Sequence, residues 1–164
     1  MKFLKSSSLA ILALIVVGLL ACQVNFSSSE SYRGEGKVLI EKRNLSKIKG
    51  IELVGSTDVS IRYGNTQSVN VKGHGNIVER LKIDVSGGIA HISLKEGSYS
   101  DYELEVELIL PLLEEIVVTG SGDVKVDGFK NIDELEAKIV GSGEIEMNNC
   151  EMNDLEVEVI GSGD

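Results

Sequence analysis

The sequence predicts an all-β fold, a parallel β-helix or β-solenoid that turns on Gly-Ser-Gly corners, and three observations predict it. A tetrapeptide returns as Gly120-Ser121-Gly122-Asp123, Gly141-Ser142-Gly143-Glu144 and Gly161-Ser162-Gly163-Asp164, at spacings of 21 and 20 residues, with a diverged copy at Gly55-Ser56-Thr57-Asp58. Alternating apolar and polar residues flank the corners: Ile116-Val117-Val118 and Leu135-Glu136-Ala137-Lys138-Ile139 lead in, Val124-Lys125-Val126 and Ile145-Glu146-Met147 lead out. The composition agrees, with 18 glycines, one proline, no tryptophan and many Val, Ile and Leu.

From the start of the chain, Lys2 and Lys5 precede an apolar run from Leu9 to Ala21. A bilayer span needs about 20 residues, so the run reads as a cleavable signal peptide over residues 1–21. It closes on Leu19-Leu20-Ala21-Cys22, which resembles the lipobox of bacterial lipoproteins. Cleavage is expected between Ala21 and Cys22, with lipid on Cys22, because a thiol takes up a diacylglyceryl group as a stable thioether. Each buried CH₂ contributes about 0.8 kcal/mol, and two or more acyl chains give lasting attachment. Residues 22–36, Ser- and Gly-rich and without hydrophobic periodicity, read as a flexible tether. The exported domain then spans 37–164.

Residues 37–110 carry strands without a clear 20-residue period. Turns at Tyr63-Gly64-Asn65 and Ser86-Gly87-Gly88 make an antiparallel β-sandwich or roll the alternative for the domain, and a helix-like Asn76-Ile77-Val78-Glu79-Arg80-Leu81 interrupts this half. From residue 116 the repeat takes over. A unit of two short strands cannot bury its own apolar face and must stack on a neighbour. Stacking in register sets Ile116 beside Ala137 and Val157, and Val118 beside Ile139 and Val159, with about 4.8 Å between rungs. Asp164 opens a rung that does not continue, so the solenoid is expected to be truncated at its C-terminus, with Leu155–Val159 as an uncapped strand prone to self-association.

The Gly-Ser-Gly-Asp rungs, the Lys72-Gly73-His74-Gly75-Asn76-Ile77 segment, the strand Leu104 to Leu110 closed by Pro111, and the Cys22 lipobox together resemble the auto-transporter adhesin family called the head GIN domain. The resemblance covers roughly residues 37–164. It implies a right-handed β-helical build and a lipoprotein or secreted protein of the Gram-negative envelope. No catalytic residue carries over from it.

Charge and chemistry narrow the function. Removing residues 1–21 takes away two of the 16 basic residues and none of the 26 acidic ones, which leaves a net charge of about −12. Such a surface repels phosphate backbones, so nucleic acid is not an expected partner. His74 and His91 stand in unrelated contexts without a catalytic or metal-binding spacing, and both read as surface or strand positions. Cys150 falls where Phe129 stands one rung earlier and reads as core. No Gly-Lys-Ser/Thr follows the glycine corners, so they are turns and not phosphate loops.

The repeat offsets do stack carboxylates: Asp123, Glu144 and Asp164 in one column, Glu115, Glu136 and Glu156 in another. Like charges about 5 Å apart in water repel by roughly 0.8 kcal/mol before screening. The bland expectation is a solvated acidic face. The functional one is a metal site for calcium on Asp123, Glu144 and Asp164. No other cofactor is expected.

The expected function is therefore a non-enzymatic binding or adhesion module with a glycan or protein ligand, anchored by lipid in the cell envelope. Gln23 is not the aspartate that retains some lipoproteins in the inner membrane, so the outer membrane is expected. The alternatives are an envelope glycan-processing β-helix enzyme, which would need a distinct carboxylate pair, and a self-assembling structural solenoid.

Overall fold

A computed structural model describes residues 30–164. The signal peptide, Ala21, Cys22 and residues 22–29 of the expected tether lie outside the described residues. The chain runs β1 (Ser31–Arg33), β2 (Val38–Arg43), β3 (Gly50–Gly55), β4 (Asp58–Tyr63), β5 (Ser68–His74), α1 (Gly75–Val78), β6 (Leu81–Ser86), β7 (Ile89–Leu94), β8 (Ser98–Ser100) and β9 (Leu104–Leu110). It continues through β10 (Glu115–Gly120), β11 (Asp123–Asp127), β12 (Ile132–Gly141), β13 (Glu144–Asn148) and β14 (Met152–Gly161).

The fold is all-β, but it is not the right-handed parallel β-helix or solenoid expected from the repeat. The strands form two six-stranded mixed sheets, ordered β14-β12-β10-β3-β7-β6 and β13-β11-β4-β9-β5-β2, beside a two-stranded β1-β8 ribbon. Antiparallel pairs β2·β5, β5·β9 and β6·β7 close one end. The physical reason lies between residues 64 and 104. Gly87 and Gly88 both take positive φ, 62° and 89°, the backbone of a tight hairpin turn that reverses β6 into β7. Tyr63-Gly64-Asn65 instead links two strands that do not pair, because β9 lies between β4 and β5. After this excursion the chain returns, and Gly120 pairs with Gly55, which stands 65 residues earlier.

The rungs from β10 onward do stack in parallel, with Ile116 on Ala137, Val118 on Ile139, Ala137 on Val157 and Ile139 on Val159. β4 and β11 add Val59 on Val124 and Ile61 on Val126. One apolar core lies between the sheets and draws on both, through Ile51, Leu53, Ile116, Val118 and Leu135 from one and Val59, Ile61, Val106, Leu108 and Val124 from the other. β9 shows why the strands form: Leu104, Val106, Leu108 and Leu110 point inward, Glu105 and Glu107 outward. Pro111, lacking an N–H, follows immediately.

The tether reading also changes. From Glu30 onward the segment is fastened to the domain. Ser31, Tyr32 and Arg33 pair in parallel with Ser98, Tyr99 and Ser100. The Tyr32 ring stacks on Tyr99 at 5.5 Å, and the Arg80 guanidinium lies 3.5 Å from the Tyr32 centroid. Arg80 donates to the Tyr99 hydroxyl at 2.9 Å, a contact that holds its pKa above the ordinary arginine value. The Asn76 side chain donates to Arg33 O at 2.7 Å and accepts from the Glu35 N–H at 3.1 Å. Composition could not show this, because every partner is distant in sequence.

Thr57 occupies the corner position that Gly122 and Gly143 fill in the later copies. It is buried, and its hydroxyl has no hydrogen-bond partner. A buried orphan hydroxyl costs roughly 1–3 kcal/mol, while an apolar group of the same shape avoids that cost. Thr57→Val is therefore expected to raise the unfolding free energy by about 1 kcal/mol in chemical denaturation. An unchanged or lower midpoint would mean that the hydroxyl is satisfied.

Candidate functional site

The chemistry-bearing side chains gather on the outer face of the sheet that runs from β13 to β2. Period-two alternation sends Val59 and Ile61, Val106 and Leu108, and Val69 and Val71 inward, so their polar neighbours line up outside. Asp123 pairs with Glu144, Asp58 with Glu105, and Glu105 with Lys72. The Val124–Val59 pair sets Asp123 next to Asp58. The Asp164 N–H donates to Gly143 O at 3.2 Å, and its carbonyl accepts from the Ile145 N–H at 2.9 Å, which places Asp164 beyond Glu144. The result is one row of carboxylates, Asp164-Glu144-Asp123-Asp58-Glu105, ending on Lys72.

The sequence located three members of this row, Asp123, Glu144 and Asp164. It flagged the Asp58 corner without placing it, and missed Glu105, which belongs to no repeat. The row is spread along a pleated sheet and does not close around a point. Among the described residues, no three His, Cys, Asp or Glu side chains are grouped so as to hold a metal ion.

Above the Lys72 end lies an open cleft of about 530 Å³, lined by Ser56, Asp58, Ser60, Lys72, Tyr102, Glu103, Glu105, Asp123 and Lys125. Lys72 tempers the carboxylates there, with its Nζ 4.0 Å from Glu105, while Lys125 Nζ stands 3.7 Å from Glu146 on the neighbouring β13. The Ser60 Oγ, on the cleft floor, is buried without a partner. The cleft thus offers hydrogen-bond acceptors, two cationic donors and a tyrosine edge to a polar ligand.

The second carboxylate column stands on the other sheet, with Glu115 beside Glu136 and Glu136 beside Glu156. It borders a cleft of about 490 Å³ that also takes in Glu114, Asp133 and Glu134. Cations offset part of this charge. Lys49 meets Glu114 at 2.6 Å and Lys138 meets Glu158 at 2.5 Å, and each hydrogen bond to a carboxylate holds its lysine above the ordinary lysine pKa. These contacts are exposed and add little to stability.

The remaining candidates are structural. His91 lies opposite Glu52 on the paired strand, with Nδ1 2.6 Å from the carboxylate. His74 Nδ1 accepts the Glu103 N–H at 2.9 Å. Cys150 is half-buried, packs on the core and has its Sγ 3.2 Å from Asn148 O.

Comparison with known proteins adds to this picture. The family described as "Putative auto-transporter adhesin, head GIN domain" matches residues 47–164. No protein with a curated description matches the chain. Among solved structures, a putative adhesin from Parabacteroides merdae ATCC 43184 superposes with a TM-score of 0.70 at 17% identity, covering 80% of this chain and 56% of its own. A putative adhesin from Bacteroides fragilis NCTC 9343 gives 0.73 at 17% identity, with coverages of 79% and 62%. A putative lipid binding protein from Parabacteroides distasonis ATCC 8503 gives 0.64 at 19% identity, with 80% and 70%. At these identities the likeness carries the fold alone. The chain spans 56% and 62% of the two adhesins.

Proposed function

This chain belongs to the head GIN domain family, and from that membership we propose that it is a non-enzymatic, adhesion-type binding domain of the bacterial cell envelope, held to a membrane by lipid on Cys22. The observation that carries the reading is the family match across residues 47–164. The lipobox at Leu19-Leu20-Ala21-Cys22 supports the anchor. The open cleft between Lys72, Tyr102 and Asp58 supports a binding role, because it offers many dispersed donors and acceptors to a hydroxyl-rich or polar ligand.

The test uses cells that express the full chain. Wild-type protein should sediment with membranes, and the cells should be retained on glycan or matrix-protein arrays. Cys22→Ser should release the protein from the membrane fraction, or leave it as an unprocessed precursor, and abolish retention. A Cys22→Ser protein that partitions and migrates like the wild type would overturn the anchor. Turnover of an oligosaccharide on a panel screen would favour the enzyme reading instead.

A further inference from the structure

The acidity of this chain is not evenly spread. Residues 33–49 hold six basic residues and two acidic ones, whereas residues 50–164 hold eight basic and twenty-three acidic. The fold turns part of this asymmetry into a spatial one, with Asp84 on β6 and Asp101 and Glu103 beside Arg33 and His74 among the carboxylates that remain at the β2 end. β2 lies at one edge of its sheet and β13 at the opposite edge, five strand spacings or roughly 24 Å away. The acidic rungs of β12 to β14 therefore stand at the far end from Arg33, Lys37 and Lys42.

That basic edge is also the most apolar exposed stretch near the start of the described chain. Val38, Leu39 and Ile40 follow one another and are 36%, 41% and 68% exposed. Ile40 pairs with Lys72 and Val38 with His74, so both lie on the outer face, while Leu39 lies on the other face and overhangs Gly75. Three consecutive apolar side chains on both faces of an edge, flanked by Lys37 and Lys42, form a blade with a cationic rim. Lys37 and Lys42 pair with no carboxylate among the described residues.

We propose that this blade is a membrane-docking edge: β2 rests on the surface of an anionic bilayer, with Val38, Leu39 and Ile40 at the acyl boundary and the neighbouring basic residues on lipid headgroups. The inference rests on the Cys22 anchor. Only residues 23–29 separate Cys22 from the fastened segment that begins at Glu30, so β2 is the first strand of either main sheet after the lipid. Charge complementarity selects the orientation, since an anionic surface attracts the β2 edge and repels the β12 to β14 end. An amphipathic surface of this kind binds in the interface plane, where backbone groups still reach water.

Strand addition by another chain is the competing occupant, and the same strand argues against it. Glu41 and Arg43 lie on the face of β2 that covers the core side of β5, 3.0 Å apart, and inward-pointing charges of this kind block edge pairing.

The chain contains no tryptophan, so one introduced indole reports one position. Full-length acylated I40W and V157W proteins are reconstituted into vesicles of phosphatidylethanolamine and phosphatidylglycerol, floated on a gradient and quenched with acrylamide. Both sites are exposed, at 68% and 58%. Floated I40W should emit at shorter wavelength and be quenched about threefold less than V157W, and brominated lipid should quench I40W alone. Adding Lys37→Glu and Lys42→Glu to I40W, or replacing phosphatidylglycerol with phosphatidylcholine, should remove that protection.

Protein that floats with I40W and V157W equally accessible overturns the docking edge and leaves the anchor standing. Wild-type protein that does not float overturns both. Protection of I40W that persists in detergent and rises with protein concentration means that a second copy covers β2, which also overturns the proposal.

Discussion

Gly141→Ala should lower the unfolding free energy by about 2–4 kcal/mol, a fall of roughly 6–12 °C in melting temperature for a domain of this size. Two terms add. Gly141 has φ 134°, a conformation essentially closed to residues with a side chain, and forcing one there costs about 1–3 kcal/mol. A Cβ at this site would also lie 2.2 Å from Gly120 O and 3.1 Å from Gly120 C. That carbonyl accepts the Ser142 N–H at 2.8 Å, so moving it breaks the hydrogen bond joining one corner to the next, a loss of roughly 1 kcal/mol, and separates the start of a strand pair. Gly120 stands the same way over Gly55 O, and Gly161 over Gly141 O, at 2.4 and 2.3 Å.

Gly36 supplies the control. Its φ is 83°, yet a Cβ there would meet nothing within 4 Å, so Gly36→Ala should cost about 1 kcal/mol from backbone strain alone. Chemical denaturation of the two variants decides the matter. Equal losses would show that close approach of the corners contributes nothing and that strain explains both.

The corners were legible in the sequence because their cause is local. A glycine that must let a neighbouring carbonyl approach returns at each rung, so the spacing of Gly120, Gly141 and Gly161 fixes the pairing of β10, β12 and β14. The same reasoning misjudged the fold class, because a period tells only of strands that stack on their sequence neighbours. Gly55 stacks on Gly120 across an excursion that builds β5 to β9, and the antiparallel pairs of that excursion leave no trace in the 20-residue period. Its direct signal was the Gly87-Gly88 hairpin turn.

The candidate site divides along the same line. Asp123 and Glu144 sit at repeat positions and were found, whereas Glu105, Lys72 and Tyr102 come from the excursion and meet the repeat only in three dimensions. Tyr32 and Arg80 fasten a segment whose composition reads as a tether, since polar residues next to serine and glycine signal flexibility only when nothing distant holds them.

Leu135 and Leu155 provide the final expected result, because they are paired in register on β12 and β14 and differ sharply in burial. Leu135 is fully buried, and Leu155 is 44% exposed. Truncating a buried leucine to alanine removes its transfer free energy and leaves a cavity whose lining loses its dispersion contacts, together about 2–5 kcal/mol. The half-exposed leucine forfeits only part of the transfer term, and water fills the space. Leu135→Ala is therefore expected to cost about 3 kcal/mol and Leu155→Ala about 1 kcal/mol. The pair is measured on the full chain at several protein concentrations, because Leu155, Val157 and Val159 form an exposed apolar column on β14. A gap of about 2 kcal/mol that does not vary with concentration confirms that the core fades along the stack toward β14. If the two costs converge as concentration rises, a second copy covers β14, and Leu155 is then as buried in the assembled protein as Leu135 is in one chain.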